Sequence, residues 1–223
     1  VGYRYDWSLV TANLDRLVDG LFILLRIAVL GYAIAIALGL VLALLRMSRL
    51  IPLRLAATLV VEVLRGIPLF LLLFLVYYGL PTIGSVVLPP VTAAVVALAV
   101  TGAAYAAEIY RGALNSVDAG QREAADALGL SATQRMRDVV LPQAVRIAVP
   151  PGLSLLIALL KGATFVSVIG VADMFYVSRD ISLQFFAPFE LYTFSGVVII
   201  AITLSLAGAV GLLERRLARG VAR

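Results

Sequence analysis

Six ionisable side chains stand inside otherwise apolar stretches, and they are the first candidates for chemistry: Arg26, Glu62, Arg65, Glu108, Arg111 and Lys161. In Glu62/Arg65 and Glu108/Arg111 an acid precedes a base by three residues. That spacing puts both groups on one helix face and suits charge neutralisation rather than acid catalysis. Arg26 and Arg111 fall near the ends of their apolar stretches, where a long side chain reaches an interface. Lys161 is the only lysine and is followed by Gly162, Thr164 and Ser167. An ammonium among apolar residues calls for a carboxylate, either from the protein (Glu62 or Glu108) or from a bound substrate. Thr164 shares the helix face of Lys161, while Ser167 is rotated further round. There is no His and no Cys. Thiol chemistry and disulfides are thereby excluded, and with the commonest general base and metal ligand missing, neither a catalytic residue nor a metal site is expected.

The elements that must carry these residues are long and apolar. The chain has 223 residues, 62% hydrophobic and only 14% charged, with a mean hydropathy of +1.05; a soluble domain is about half apolar and a quarter charged. Five blocks, about 21–45, 55–78, 91–111, 151–171 and 191–213, are each long enough, or nearly so, to cross roughly 30 Å of hydrocarbon as a helix. The expectation is an all-α, polytopic membrane protein with five transmembrane helices in a single domain spanning 1–223. Pro68 falls inside the second block and is expected to kink or interrupt it. Such interruptions are tolerated where backbone lines a protein-buried cavity. The stretch from Arg65 to Pro68 therefore reads either as a pathway wall or as an interfacial ion pair beside a harmless kink. No cleavable signal peptide is evident, and the opening Val1 suggests an incomplete N-terminus.

The net charge of +5 sits mostly between the apolar blocks rather than on a polar domain, which argues against a nucleic-acid partner. Arginines crowd the first connection (Arg46, Arg49, Arg54), the third (Arg122, Arg135, Arg137, Arg146) and the tail. With five spans these three regions fall on one side. The positive-inside rule makes that side cytoplasmic and places the N-terminus outside. The cluster Tyr3-Arg4-Tyr5-Asp6-Trp7 suits an interfacial anchor.

The third connection is the one sizeable polar segment. It predicts two short helices: one capped by Asp118 with Gln121 in capping-box position, a stop at Gly129, then one capped by Ser131 with Gln134 three residues on and limited by Pro142. Small Ala124 and Ala125 allow a close approach to a partner surface, with Arg122, Glu123 and Asp126 at its rim.

Glu123-Ala124-Ala125, Gly129, Val139, Leu141 and Pro142 match the EAA loop of ABC-importer permeases (Glu-Ala-Ala-x3-Gly-x9-Ile-x-Leu-Pro), with Val139 for the usual Ile. Arg65-Gly66-Ile67-Pro68-Leu69, Tyr77 to Pro81, Ala104 to Val117, Gln143 to Pro151, Leu160-Lys161 and Ser167 to Val171 resemble the polar amino acid branch of that family, so the likeness covers nearly the whole chain. It implies the type I importer permease fold, with a cytoplasmic coupling helix–turn–helix at about 118–142, in a bacterial inner membrane. It also implies a dimer of ATP-binding subunits that hold ATP and Mg, a second permease chain (identical or paralogous), an extracytoplasmic substrate-binding protein, and an amino-acid-like substrate. Coupling then rests on Glu123, Ala124, Ala125, Gly129, Leu141 and Pro142. The substrate pathway is expected at Lys161, Thr164, Ser167, Glu62, Arg65 and Glu108. Two positions depart from the family pattern: Gly162 stands where an acid is common after the lysine, and Ile67 where Thr is common.

The chain has no Gly-x4-Gly-Lys-Ser/Thr phosphate loop, so the expected ATP chemistry belongs to another chain. The competing reading is an ATP-independent secondary transporter or channel, which leaves the polar connection without a role. An intramembrane enzyme would have to rely on Glu62 and Glu108, each already facing an arginine.

Overall fold

A computed structural model describes residues 5–219. Tyr3 and Arg4 of the N-terminal cluster, and the tail from 220 to 223, lie outside the described residues. The described residues form helices joined by short connections, without a strand. A short α1 (Ser8–Ala12) leads into α2 (Leu14–Arg46), followed by α3 (Ile51–Gly66) and α4 (Leu69–Gly84). Then come α5 (Pro90–Asn115), α6 (Ala119–Ala127), α7 (Ala132–Ile169), α8 (Met174–Phe185) and α9 (Pro188–Arg219). Among the described residues four helices are long and apolar enough to cross a membrane, or five when the bent pair α3–α4 counts as one span.

The most buried long helix is α5, which packs along α2. Their contact is a seam of small residues. A Cβ placed on Gly102 would stand 2.7 Å from the Cβ of Ala35, and one on Gly39 would stand 2.9 Å from the Ala103 carbonyl oxygen. Hydrocarbon supplies no hydrophobic drive between helices, so close backbone approach through small residues supplies the packing instead. Around this seam Leu24, Ile27, Leu98, Leu159 and Leu160 fill the main core.

One expectation about element boundaries holds and another changes. The second apolar block is divided at Ile67–Pro68, with α3 and α4 bent by 103°. Pro68 has no N–H to continue the ladder, and Ile67, ahead of it, is extended at φ −83°, ψ 122°. The second short helix of the polar connection, expected to end at Pro142, is instead the first turns of α7, which runs on to Ile169. A π turn over Arg135–Val140 precedes Pro142 and widens the helix where the ring would crowd it. The stretch between the fourth and fifth apolar blocks contains α8. Its cap Asp173 is fully buried, accepts the Tyr176 N–H at 2.9 Å, and lies where α2 comes close at Gly20. Burial pushes the Asp173 carboxyl up to about 7, against backbone N–H groups that pull it down. The rings of Tyr5 and Trp7 pack edge-on against Phe189 at the start of α9.

Candidate functional site

Two regions hold the residues singled out in the sequence. The first is the helix–turn–helix at one end of the bundle. Asp118 caps α6 by accepting the Gly120 N–H at 2.8 Å. The expected box with Gln121 does not form, because that side chain instead accepts from Gln143 Nε2 at 3.4 Å. Gly129 takes the left-handed conformation at φ +72°, and the Leu130 N–H returns to the Ala125 carbonyl at 3.1 Å, closing the helix as a C′ glycine does. The second box is complete: Ser131 Oγ accepts the Gln134 N–H at 3.3 Å, and Gln134 Oε1 accepts the Ser131 N–H at 2.9 Å.

Tertiary locks fix this unit to the bundle. Arg122 donates to the Leu114 carbonyl at the end of α5, and Arg135 pairs with Asp126 across the turn. Ala113, Val117, Val140, Ala144 and Ala148 form a small core beneath it. Ala125, expected on a partner-facing surface, is 3% exposed and packs inward. Glu123, Ala124 and Gly129 face outward, with Leu128 80% exposed between them. Leu141 and Pro142 lie exposed at the root of α7.

The second region is the break between α3 and α4. Glu108 on α5 accepts from Arg46 at the end of α2 and from Arg111 Nη2 at 2.7 Å. Arg65 Nη1 stands 3.8 Å from Glu108 and 3.5 Å from Glu62, and Arg46 reaches Glu62 at 3.6 Å. Glu62, Arg65 and Glu108 are therefore brought together, and Glu108 faces both Arg111 of its own helix and Arg65 of α3. Arg111 turns back onto Glu108 instead of only reaching outward. Sequence reasoning missed Arg46: counted with a loop, it is 8% exposed and central to the cluster. Its signal was its position closing an apolar run only three residues before Arg49 opens the connection.

Beside the cluster the break opens a cavity of about 410 Å³, lined by Arg65 to Leu69 from the break, Thr101 and Tyr105 from α5, and Leu155, Ala158 and Leu159 from α7. The Arg65 guanidinium lies over the Tyr105 ring, 5.7 Å from its centroid. Thr101 and Tyr105 were also missed, although with Glu108 they form an i, i+4, i+7 stripe that faces the break. A larger cavity of about 450 Å³ between α2, α5 and α7 is lined by Tyr32, Tyr110 and apolar side chains and carries no charged residue.

Lys161, Thr164 and Ser167 occupy the far end of α7. Thr164 Oγ1 donates to the Lys161 carbonyl at 2.7 Å, and Ser167 Oγ to the Thr164 carbonyl at 3.3 Å, so both hydroxyls are spent on their own backbone. Lys161 is exposed on the chain, and among the described residues it forms no ion pair with Glu62 or Glu108, whose partners are the arginines. Gly162 marks the close approach of α7 to α4, where a Cβ would collide with Leu69.

Residues 35–219 match the family described as binding-protein-dependent transport system inner membrane component. The chain is 34% identical over 219 residues to the probable amino-acid ABC transporter permease protein YckA of Bacillus subtilis (strain 168), covering 98% of this chain and 96% of the relative. It is 36% identical over 223 residues to the glutamate/aspartate import permease protein GltK of Escherichia coli O157:H7, covering 97% and 100%. A chain from the crystal structure of an amino acid ABC transporter with histidines superposes with a TM-score of 0.92 at 36% identity, covering 96% of this chain and all of that one. The MetNI methionine ABC transporter superposes with a TM-score of 0.68 at 22% identity, over 94% and 98%, a likeness of fold. By sequence over most of its length, the chain belongs to the inner-membrane permease components of binding-protein-dependent transport systems.

Proposed function

We propose that this chain is the permease subunit of an ATP-driven importer for a polar amino acid or related zwitterion, and that its helix–turn–helix docks on a separate ATP-binding subunit. One observation carries this reading: the tip formed by Glu123, Ala124, Leu128 and Gly129 projects outward while Arg122, Arg135 and Ala125 lock it from within. A surface held rigid yet presented to solvent is suited to receiving force. The same unit continues without a break into α7, so displacement at Ser131 is carried about 45 Å along the helix to Lys161.

ATP and Mg are bound by the partner, whose closure draws two such tips together and switches the access of the pathway. A bundle of five spans encloses no complete channel, so two permease chains, identical or paralogous, face each other. The Arg-rich end lies in the cytoplasm and the N-terminus outside, where a substrate-binding protein delivers the cargo. Within the pathway Arg65 and Lys161 are the cations with capacity to meet a carboxylate; Glu62 and Glu108 hold the arginines in place. The relatives named above for amino acids support the cargo class.

The test is uptake of labelled amino acids into liposomes holding the chain with its ATPase and binding protein. ATP-dependent accumulation that disappears in Glu123→Lys, with the protein still inserted and folded, is the expected result. Uptake that persists when the ATPase is omitted would establish the ATP-independent alternative instead.

A further inference from the structure

The larger cavity lies against the opposite face of α5 from the break, away from the ion cluster. Its walls are Tyr32, Ile36 and Leu40 of α2, residues between Ala106 and Leu114 of α5, and residues between Leu141 and Leu153 of α7. Apart from two tyrosines this lining is Ile, Leu, Val, Ala and Gly, and the Tyr110 hydroxyl already donates to the Ile36 carbonyl at 3.3 Å. A polar solute loses free energy against such walls because its groups go unpaired, and hydrocarbon meets no such penalty. From Leu141 to Leu153 the cavity follows α7 for about 18 Å, close to one leaflet of a hydrocarbon core about 30 Å thick. Spread over that length, about 450 Å³ leaves a slot of about 25 Å² in cross-section, too narrow for a helix about 10–12 Å across. Arg146 stands on the rim of this slot. It lies seven residues before Leu153, within about 20° of the same row on α7, and three before Val149. It is exposed, and its guanidinium has neither an ion pair nor a hydrogen bond among the described residues. Its neighbours three and four residues away are Pro142, Gln143, Val149 and Pro150, none of them acidic. Helix side chains lean toward the N-terminus, so Arg146 reaches toward the helix–turn–helix, where the slot begins.

We propose that this slot holds an acyl chain of an anionic phospholipid from the leaflet on the helix–turn–helix side, with the headgroup phosphate on Arg146. The chain lies along Val145, Val149 and Leu153 and ends near Tyr32 and Gly152. A cation beside an apolar recess between membrane helices is the arrangement that takes anionic headgroups. A zwitterionic headgroup brings an ammonium as well, which no acid within helical reach of Arg146 receives and which Arg146 repels, so the net negative headgroup is preferred. Ala113, Ala144 and Ala148 belong both to the slot and to the small core beneath the helix–turn–helix. A chain seated there braces the root of α7, so the lipid composition of this leaflet bears on how firmly the tip is held. The assignment needs the membrane setting, and neither the cargo nor the ATP-binding partner.

Its test uses the full chain in nanodiscs of phosphatidylcholine that contain a small fraction of phosphatidylglycerol with a photoactivatable diazirine midway along one acyl chain. After illumination the adducts are mapped by mass spectrometry. Expected are adducts concentrated on α7 from Leu141 to Leu153 and on α2 from Tyr32 to Leu40, competed about fivefold better by unlabelled phosphatidylglycerol than by unlabelled phosphatidylethanolamine. Arg146→Gln should remove that preference, since one arginine beside an anionic headgroup is worth about fivefold. Arg54→Gln, at an exposed position of α3 outside the slot, should keep it. Val145→Trp, which fills the slot from an exposed position, should clear the adducts from its walls. Adducts spread evenly over exposed apolar residues such as Leu59, Val63, Leu204 and Leu212, equal competition by the two lipids, or an unchanged preference in Arg146→Gln would each overturn the proposal. The chain has no cysteine of its own, so a benzophenone attached to a Val145→Cys protein reports the occupant directly. A lipid-sized gain in mass is expected there, and crosslinked pairs of chains would overturn the proposal by showing that a second copy fills the slot.

Discussion

The helix–turn–helix and the helix break are both interruptions of a helical chain, and they are built by opposite means. At the tip, the helix ends are set locally, before Arg122 and Arg135 lock the unit: Asp118 bonds two residues on, Ser131 three, and Gly129 turns in place. At the break, Pro68 only permits the bend. What shapes it is long-range, because Glu108 gathers Arg46, 62 residues away, with Arg111 and Arg65 from two helices. A device that meets a partner must hold its own form, so it carries its own caps. A device that encloses a cavity inside the bundle takes its form from whichever helices surround it. Damage should therefore spread from the break and stay confined at the tip.

The largest effect is expected at Glu108. Glu108→Ala leaves the 8%-exposed Arg46 and its two companion guanidiniums with only the half-exposed Glu62 between them. Removing one partner of a buried ion cluster costs about 3–5 kcal/mol. Thermal unfolding in detergent should fall by many degrees, with the inserted yield reduced, while Arg111→Ala, which removes a partly exposed partner, should cost far less. Equal losses for the two variants would contradict a cluster centred on Glu108.

Asp173 tests the boundary between the two kinds of construction, since it is a local cap that tertiary packing has buried. Its carboxyl titrates near 7 in the folded chain against about 3.9 when unfolded. The folded state thus favours the protonated form. Its full contribution is present below about pH 4, declines as pH rises toward 7, and levels off above. The difference amounts to about 2–4 kcal/mol. Stability measured from pH 5 to pH 8 should fall in the wild type and be much flatter in Asp173→Asn. An unchanged slope in the variant would remove Asp173 as its source.

Neighbouring alanines divide the tip. Ala125→Leu forces a larger side chain into packed space and should cost about 1–3 kcal/mol. Ala124→Leu adds the same atoms on the exposed face, and should leave unfolding nearly unchanged while reducing ATPase binding in a pull-down. The two residues are adjacent in a familiar-looking pattern, and only the structure separates them, because which alanine faces inward depends on how α6 is rolled by Arg122 and Arg135. The same limit governs the rest of what was legible. Caps, the Gly129 stop and the apolar blocks follow from spacing along the chain. The position of Arg46, the cavity at Thr101 and the merging of Ser131's helix into α7 depend on contacts across the bundle or on a π turn that no propensity marks.

The smallest effect belongs to the most local element. Ser131→Ala removes the side-chain acceptor of the Gln134 N–H and loosens Gln134 Oε1 from the Ser131 backbone, for about 1 kcal/mol. Because Ala132 begins the same helix that carries Lys161, fraying there lengthens no loop and opens no core; it softens the first turn of the lever. Global unfolding should shift by only a few degrees, whereas hydrogen exchange at residues 131–134 should rise well above that at Val140, where the small core takes over. If exchange instead rises through Val140 to Ala148, the cap holds the whole root of α7, and the tip is less self-contained than its bonding pattern implies.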